Sequence, residues 1–184
     1  MKTSARLISL PLALLVALAL VTPAAAGAGG ADPDAQVRRA GGPQLGDNIF
    51  NLNGTNQTVG GHQARRYRVG AVRWFYAYVY NDGFDHSAFT VVATEPNPAV
   101  RPQTTQSPFL VQYITPSGVD ITASVIAGTY VTPSVAPGGR AAIRVKITVT
   151  PGTGHDARVN LLVTFVEQFA TSDRDAVGIR MWRK

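Results

Sequence analysis

The chain has 184 residues with a formal net charge of +6, and 45% of them are hydrophobic while only 15% are charged, which excludes a protein disordered over most of its length. It contains no cysteine, which excludes a disulfide scaffold, thiolate ligation of zinc or iron-sulfur clusters, a cysteine nucleophile and a lipoprotein-type acyl anchor. The length is that of about one domain.

In chain order, Lys2 and Arg6 precede an apolar run from Leu7 to Val21, and Thr22-Pro23-Ala24-Ala25-Ala26 follows with small residues. This pattern predicts an export signal over residues 1–26. As a helix the run would cover only about 22 Å at 1.5 Å per residue, short of the ~30 Å hydrocarbon core, which argues against a membrane anchor. The product is expected outside the cytoplasm, secreted or associated with the cell surface, with no membrane span after signal removal. Arginine far outnumbers lysine, and alanine, glycine and proline abound, a bias that points to a GC-rich bacterial genome.

Residues 27–45 are dominated by Gly, Ala and polar side chains with no hydrophobic period, and are expected to form a flexible leader. The folded domain is placed at 46–184. From there apolar residues recur with period 2 and turn signals separate the runs, as in a sandwich or barrel. Strands are predicted at Asp47 to Leu52, Gln63 to Val69, Arg73 to Tyr80, Ser87 to Thr94, Phe109 to Ile114, Val119 to Val125, Arg140 to Val149, Val159 to Gln168 and Ala176 to Trp182. Asn53-Gly54, Gly60-Gly61, Asn81-Asp82-Gly83, Pro116-Ser117-Gly118, Pro137-Gly138-Gly139 and Pro151-Gly152 mark the breaks. Between Glu95 and Pro108 four prolines predict a long surface loop. In the run from Ile143 to Val149 one face is aliphatic and the other carries Arg144, Lys146 and Thr148, which predicts one buried and one wet face. Two antiparallel sheets packed face to face, with about 7–9 strands, satisfy that pattern.

The strand Phe75-Tyr76-Ala77-Tyr78-Val79-Tyr80 running into Asn81-Asp82-Gly83, then Phe89-Thr90-Val91, Thr129-Tyr130 through Pro137-Gly138, and the alternation from Ile143 to Val149 together resemble immunoglobulin-like β-sandwich domains of secreted and cell-surface bacterial proteins. The resemblance covers roughly residues 46–184. It implies a non-catalytic spacer, adhesion or assembly module, because its motifs specify an architecture and no activity.

Residues able to carry chemistry are sparse. Only two glutamates occur, Glu95 and Glu167, and His62, His86 and His155 sit in predicted turns without metal-ligand spacing. No Gly-x-Ser-x-Gly elbow is present, and no cofactor is expected. Asn81, Asp82 and Asp85 place three side-chain oxygens within five residues, a weak calcium candidate, since Asn-Asp-Gly is first of all a turn sequence. Arg65, Arg66, Arg68 and Arg73, with the terminal Arg180-Met181-Trp182-Arg183-Lys184, form basic clusters; export argues against nucleic acid, and such charges would attract anionic polymers outside the cell.

The unusual feature is Trp74, Tyr76, Tyr78 and Tyr80, aromatic at period 2 on a strand whose other face carries Phe75, Ala77 and Val79. If the latter three face the core, the aromatics form a row suited to sugar rings or a partner surface. Otherwise a neighbouring loop covers the row, or the row is itself the core side. The expected function is binding or assembly at the bacterial cell exterior, without enzymatic activity, through an unknown protein or polysaccharide partner. A carbohydrate-binding module is the alternative and a small secreted hydrolase the third reading.

Overall fold

A computed structural model describes residues 31–60, 67–94, 109–151 and 157–182, the side chain of Trp182 apart. Among the described residues ten strands form two five-stranded sheets. Seven are long: β1 (Pro33–Arg39), β4 (Val72–Asn81), β5 (Phe89–Thr94), β6 (Phe109–Ile114), β8 (Arg140–Val149), β9 (Arg158–Glu167) and β10 (Arg174–Trp182). Three have two residues each: β2 (Gln44–Leu45), β3 (Thr58–Val59) and β7 (Tyr130–Val131). The front sheet has the order β2-β1-β4-β8-β6 and the back sheet β3-β10-β9-β5-β7. Among the described residues all strand pairings are antiparallel except that of β3 with β10. The chain is therefore an all-β, two-sheet sandwich.

Period 2 sets which residues meet between the sheets. On β8, Ile143, Val145, Ile147 and Val149 are fully buried, and on β4 Phe75, Ala77 and Val79 point inward beside them. From the back sheet Phe89, Val91, Val163, Phe165, Val177 and Ile179 close the core. Because successive side chains leave opposite faces of a strand, Trp74, Tyr76, Tyr78 and Tyr80 must lie on the outer face of the front sheet.

Several sequence expectations are corrected. The segment 27–45 is not a flexible leader where it is described: Pro33–Arg39 is β1, paired with β4 from Pro33↔Asn81 to Arg39↔Phe75, with Ala35 and Val37 fully buried. Two inward apolar residues in a polar run carry too little period to be read alone, yet β4 offers a complete row of backbone partners. Asp47 to Leu52 is not a strand. Ile49 N–H bonds to the Gly46 carbonyl at 3.0 Å, Asn48 takes a positive φ of 55°, and Phe50 and Leu52 remain exposed. Val119 to Val125 is not a strand either. Asp120 Oδ1 accepts from Thr122 N–H at 2.9 Å, and the short helix α1 (Thr122–Ile126) follows and buries Val125. The predicted strand at Gln63 to Val69 lies largely outside the described residues, as does the Glu95 to Pro108 loop.

Gly60 ends β3 with φ of +121°, and a Cβ there would stand 1.9 Å from the Arg180 carbonyl oxygen. Gly60→Ala should therefore cost about 3 kcal/mol, as the backbone of β10 must retreat. Gly70, with φ of +80° and nothing near its would-be Cβ, is the control, and Gly70→Ala should cost only about 1–2 kcal/mol. Urea denaturation of both variants checks the contrast.

Candidate functional site

The outer face of the front sheet is built by three strands in register. On β4 the row is Trp74, Tyr76, Tyr78 and Tyr80. Across from it, β8 sets Lys146 opposite Trp74, Arg144 opposite Tyr76 and Arg140 opposite Tyr80, while β1 sets Arg38 opposite Tyr76 and Gln36 opposite Tyr78. Cross-strand neighbours on one face touch, so cations from both sides enter between the rings.

The Arg38 guanidinium lies 5.0 Å from the Tyr76 ring centre and 5.7 Å from that of Tyr78, and its Nε donates to the Tyr78 hydroxyl at 2.7 Å. Arg140 lies 5.1 Å from Tyr78 and 5.7 Å from Tyr80, donating to the Tyr80 hydroxyl at 2.8 Å. Arg144 and Lys146 stand over Trp74 at 5.7 and 5.9 Å. Tyr76 and Tyr78 stack on each other with centres 6.4 Å apart. Each cation–aromatic contact stabilises this face by about 0.5–1 kcal/mol. Tyr78, held between two guanidinium groups, is only 5% exposed, whereas Trp74, Tyr76 and Tyr80 are half-buried.

The face is thus cationic first and aromatic second. Arg38 and Arg140 each donate one hydrogen bond to a tyrosine hydroxyl, and Arg144 donates from Nε and Nη2 to the Thr115 carbonyl at 3.1 and 2.9 Å. A guanidinium carries five N–H donors, so each retains donors for a ligand. None of the three meets a carboxylate among the described residues. Tyr80 further accepts from Gln44 at 3.1 Å, and Gln44 in turn donates to Gln36. The bond from Arg140 raises that guanidinium's pKa above its ordinary value, keeping it charged. Beside Lys146, Asp120 is held below the usual carboxylate range, chiefly by the side-chain and backbone bonds it accepts from Thr122.

Other candidates fall elsewhere. Asn81, Asp82 and Asp85 share one turn, but the Asn81 amide is committed to holding it: Nδ2 donates to the Asp85 and Val135 carbonyls at 2.7 and 2.9 Å, and Oδ1 accepts from Gly83 N–H at 3.2 Å. Among the described residues no three Asp, Glu or His side chains gather around a metal position. Glu167 is buried and caps the turn after β9, accepting from Ser87 Oγ at 2.5 Å and from the Phe169 and Ala170 N–H groups. His86 is exposed, and His62, His155 and Glu95 lie outside the described residues. Sequence reading missed Arg38, because it sat in the supposed leader. The signal for Arg144 and Lys146 was present in the wet face of β8.

No protein-family model matches the chain, and no curated protein matches it. Among solved structures it is similar to a FixG-related protein from Vibrio parahaemolyticus, with 10% identity over 83% of this chain and 96% of that one and a TM-score of 0.40. It is also similar to a family 123 glycoside hydrolase from Clostridium perfringens that acts on glycolipid glycans, with 8% identity, a TM-score of 0.46 and coverage of 83% of this chain but 27% of that one. The N-terminal domain of PorA shares 14% identity over 82% of this chain and 97% of its own, with a TM-score of 0.39. At these identities and scores the likenesses carry no functional argument.

Proposed function

We propose that the protein is an exported, non-catalytic binding module of immunoglobulin-like fold that acts at the bacterial cell exterior, using the outer face of the front sheet to hold an anionic surface polymer. The strand order supports the fold assignment. Of the seven long strands, the first, second, fifth and fourth make up one sheet and the third, sixth and seventh the other, the order of a constant-type immunoglobulin sandwich. Export rests on the signal pattern of residues 1–26.

The single observation that carries the ligand class is the interleaving of Arg38, Arg140, Arg144 and Lys146 among the four aromatics with no opposing carboxylate on the three arginines. Sugar stacking needs a free ring face, and here cations already lie over the rings. What the face offers outward is positive charge, spare guanidinium donors and tyrosine hydroxyls, a set that suits carboxylate or phosphate groups repeated along a hydroxylated chain.

Co-sedimentation with an anionic polysaccharide, polygalacturonate, and a neutral one, dextran, at low and high salt tests this. The expected result is binding to polygalacturonate that weakens with salt and falls about tenfold to a hundredfold in an Arg140→Ala, Arg144→Ala, Lys146→Ala variant. Salt-tolerant binding to the neutral polymer, lost on Trp74→Ala, would instead favour a carbohydrate-binding module. Absence of binding to both would leave a protein-contacting module.

A further inference from the structure

The charges of the described residues are separated along the strand direction. Every described carboxylate except Asp120 lies toward the end where β1, β8 and β10 begin and the turn joining β4 to β5 runs. Asp32, Asp34, Asp47 and Asp82 gather there, and burial together with neighbouring carboxylates pushes both Asp34 and Asp82 above the ordinary value. No described cation pairs with them. Two large apolar side chains project from the same end: Phe84, 91% exposed between Asp82 and Asp85, and Phe169, 72% exposed. Arg140 and Arg174 are the described cations at that end, and Arg140 is turned onto the tyrosines of the front sheet.

The opposite end is the complement. Arg39, Arg68, Arg73 and Arg180 lie there and no described carboxylate does. Between the sheets at that end opens a cleft of ≈ 260 Å³, lined by Leu45, Val59, Phe75 and Met181 with Arg39 and Arg180 at its rim. Its volume exceeds the about 150 Å³ of an enclosed cavity that holds benzene.

We infer that the protein associates head to tail with a second copy of itself, the Phe84 turn of one molecule entering the cleft at the basic end of the next so that Asp82 and Asp85 meet Arg39 and Arg180. Charge complementarity selects this partner and this geometry. Either end placed against its own copy sets the like charges of its described residues together, while the head-to-tail contact pairs them with opposite charges. Such a contact is heterologous and leaves one free acidic and one free basic end for further copies. The contact is small, which makes the association weak and dependent on concentration. It is separate from the anionic-polymer face, whose cations lie on the outer surface of the front sheet.

Sedimentation velocity on the protein from Gly27 to Lys184, which retains every described element, tests it up to about 1 mM. The mean mass should rise with concentration at low salt and fall back toward the monomer at high salt. Phe84→Asp, and separately Arg39→Glu with Arg180→Glu, should each weaken association at least about tenfold. All three positions are exposed, and an unchanged melting temperature shows that the variants are folded. If a variant melts early, Phe84→Ser or Arg180→Gln takes its place. Each variant keeps one intact end, and the double arginine variant is reversed in charge only at its basic end. Mixing Phe84→Asp with the arginine variant should therefore restore a complex between the Phe84 turn of the latter and the cleft of the former. A monomer at every concentration, or association untouched by both variants, would overturn the inference. An Arg144→Ala, Lys146→Ala variant, which leaves both ends untouched, should associate as the unsubstituted protein does, and loss of association in it would also overturn the inference by moving the contact to the front sheet.

Discussion

Removing residues 27–45 from the protein is expected to abolish folding, with the cooperative thermal transition lost and the near-ultraviolet circular dichroism of the buried aromatics gone. The segment carries β1, which pairs with β4 along seven residues and sets Ala35 and Val37 at zero exposure against the core. Its loss would uncover the edge of β4 along with Phe75, Ala77 and Val79, and would leave a row of backbone donors and acceptors unpaired beside an apolar surface. Burying a valine contributes about 1.5–3 kcal/mol, and each ladder hydrogen bond lost to water removes about 0.5–1.5 kcal/mol. Summed along β1, these losses are of the same order as the whole stability of an ordinary domain, about 5–15 kcal/mol. If the truncated chain still melted cooperatively near the original temperature, β1 would be dispensable and the front sheet would begin at β4.

The second large effect belongs to Asp175. This side chain is fully buried at the open side of the sandwich, and its two oxygens accept from three backbone N–H groups: Ala35 at 2.8 Å, Asn51 at 2.9 Å and Ala176 at 2.8 Å. Gln57 approaches it as well, at 3.3 Å. One carboxyl thereby fastens β1 of the front sheet, the loop after β2 and the start of β10 in the back sheet. Asp175→Ala leaves the Ala35 and Asn51 N–H groups without this acceptor, while Ala176 N–H keeps the Asn51 carbonyl at 3.0 Å, and should cost about 2–4 kcal/mol in chemical denaturation.

The same residue gives a signed pH dependence. Burial pushes its carboxyl from 3.8 up to about 6, against the opposing pull of the three N–H bonds. The folded protein therefore holds this proton more tightly than the unfolded chain does. Its contribution to stability is complete below 3.8 and is lost as pH rises through about 6, a change of at most ~3 kcal/mol. Asp34 and Asp82 are raised as well and act in the same sense, while Asp120 is lowered and acts in the opposite one. Stability measured between about pH 4 and 6 should fall with rising pH in the unsubstituted protein, and fall less in Asp175→Asn. Equal slopes in the two proteins would show that Asp175 does not titrate in that range.

The arrangement of these groups also explains how the domain divides its surface. Tyr78 loses nearly all its exposure because Arg38 and Arg140 converge on it from β1 and β8, so the front face is a cationic layer laid over aromatics. Tyr76 has no partner for its hydroxyl among the described residues and is the tyrosine most open to a ligand donor. The proposed polymer face and the proposed end-to-end contact use different residues and can be separated by mutation.

Alternation alone determined β4, β6, β8, β9 and β10, because a half-buried strand writes its burial into every second residue. For β6 and β8 the predicted and observed bounds coincide, at Phe109–Ile114 and Arg140–Val149. The same periodicity put Phe75, Ala77 and Val79 opposite the aromatic row. What alternation could not carry was which face met the core, since both faces of β4 are apolar enough to be buried; the inward rows of β8 and the back sheet decided it. Nor could it mark β1, whose period is too short and whose partners are distant. Its Arg38 reaches Tyr78 across 40 positions of sequence, and Ala35 reaches Asp175 across 140. Interactions over such separations depend on where the fold brings two backbones together, and no local pattern of residues records that. The sequence by itself determined the strands with a continuous dry side. Only the tertiary structure decided that a polar segment would become a strand, that a buried aspartate would tie the two sheets together, and that four cations would close over the aromatic row.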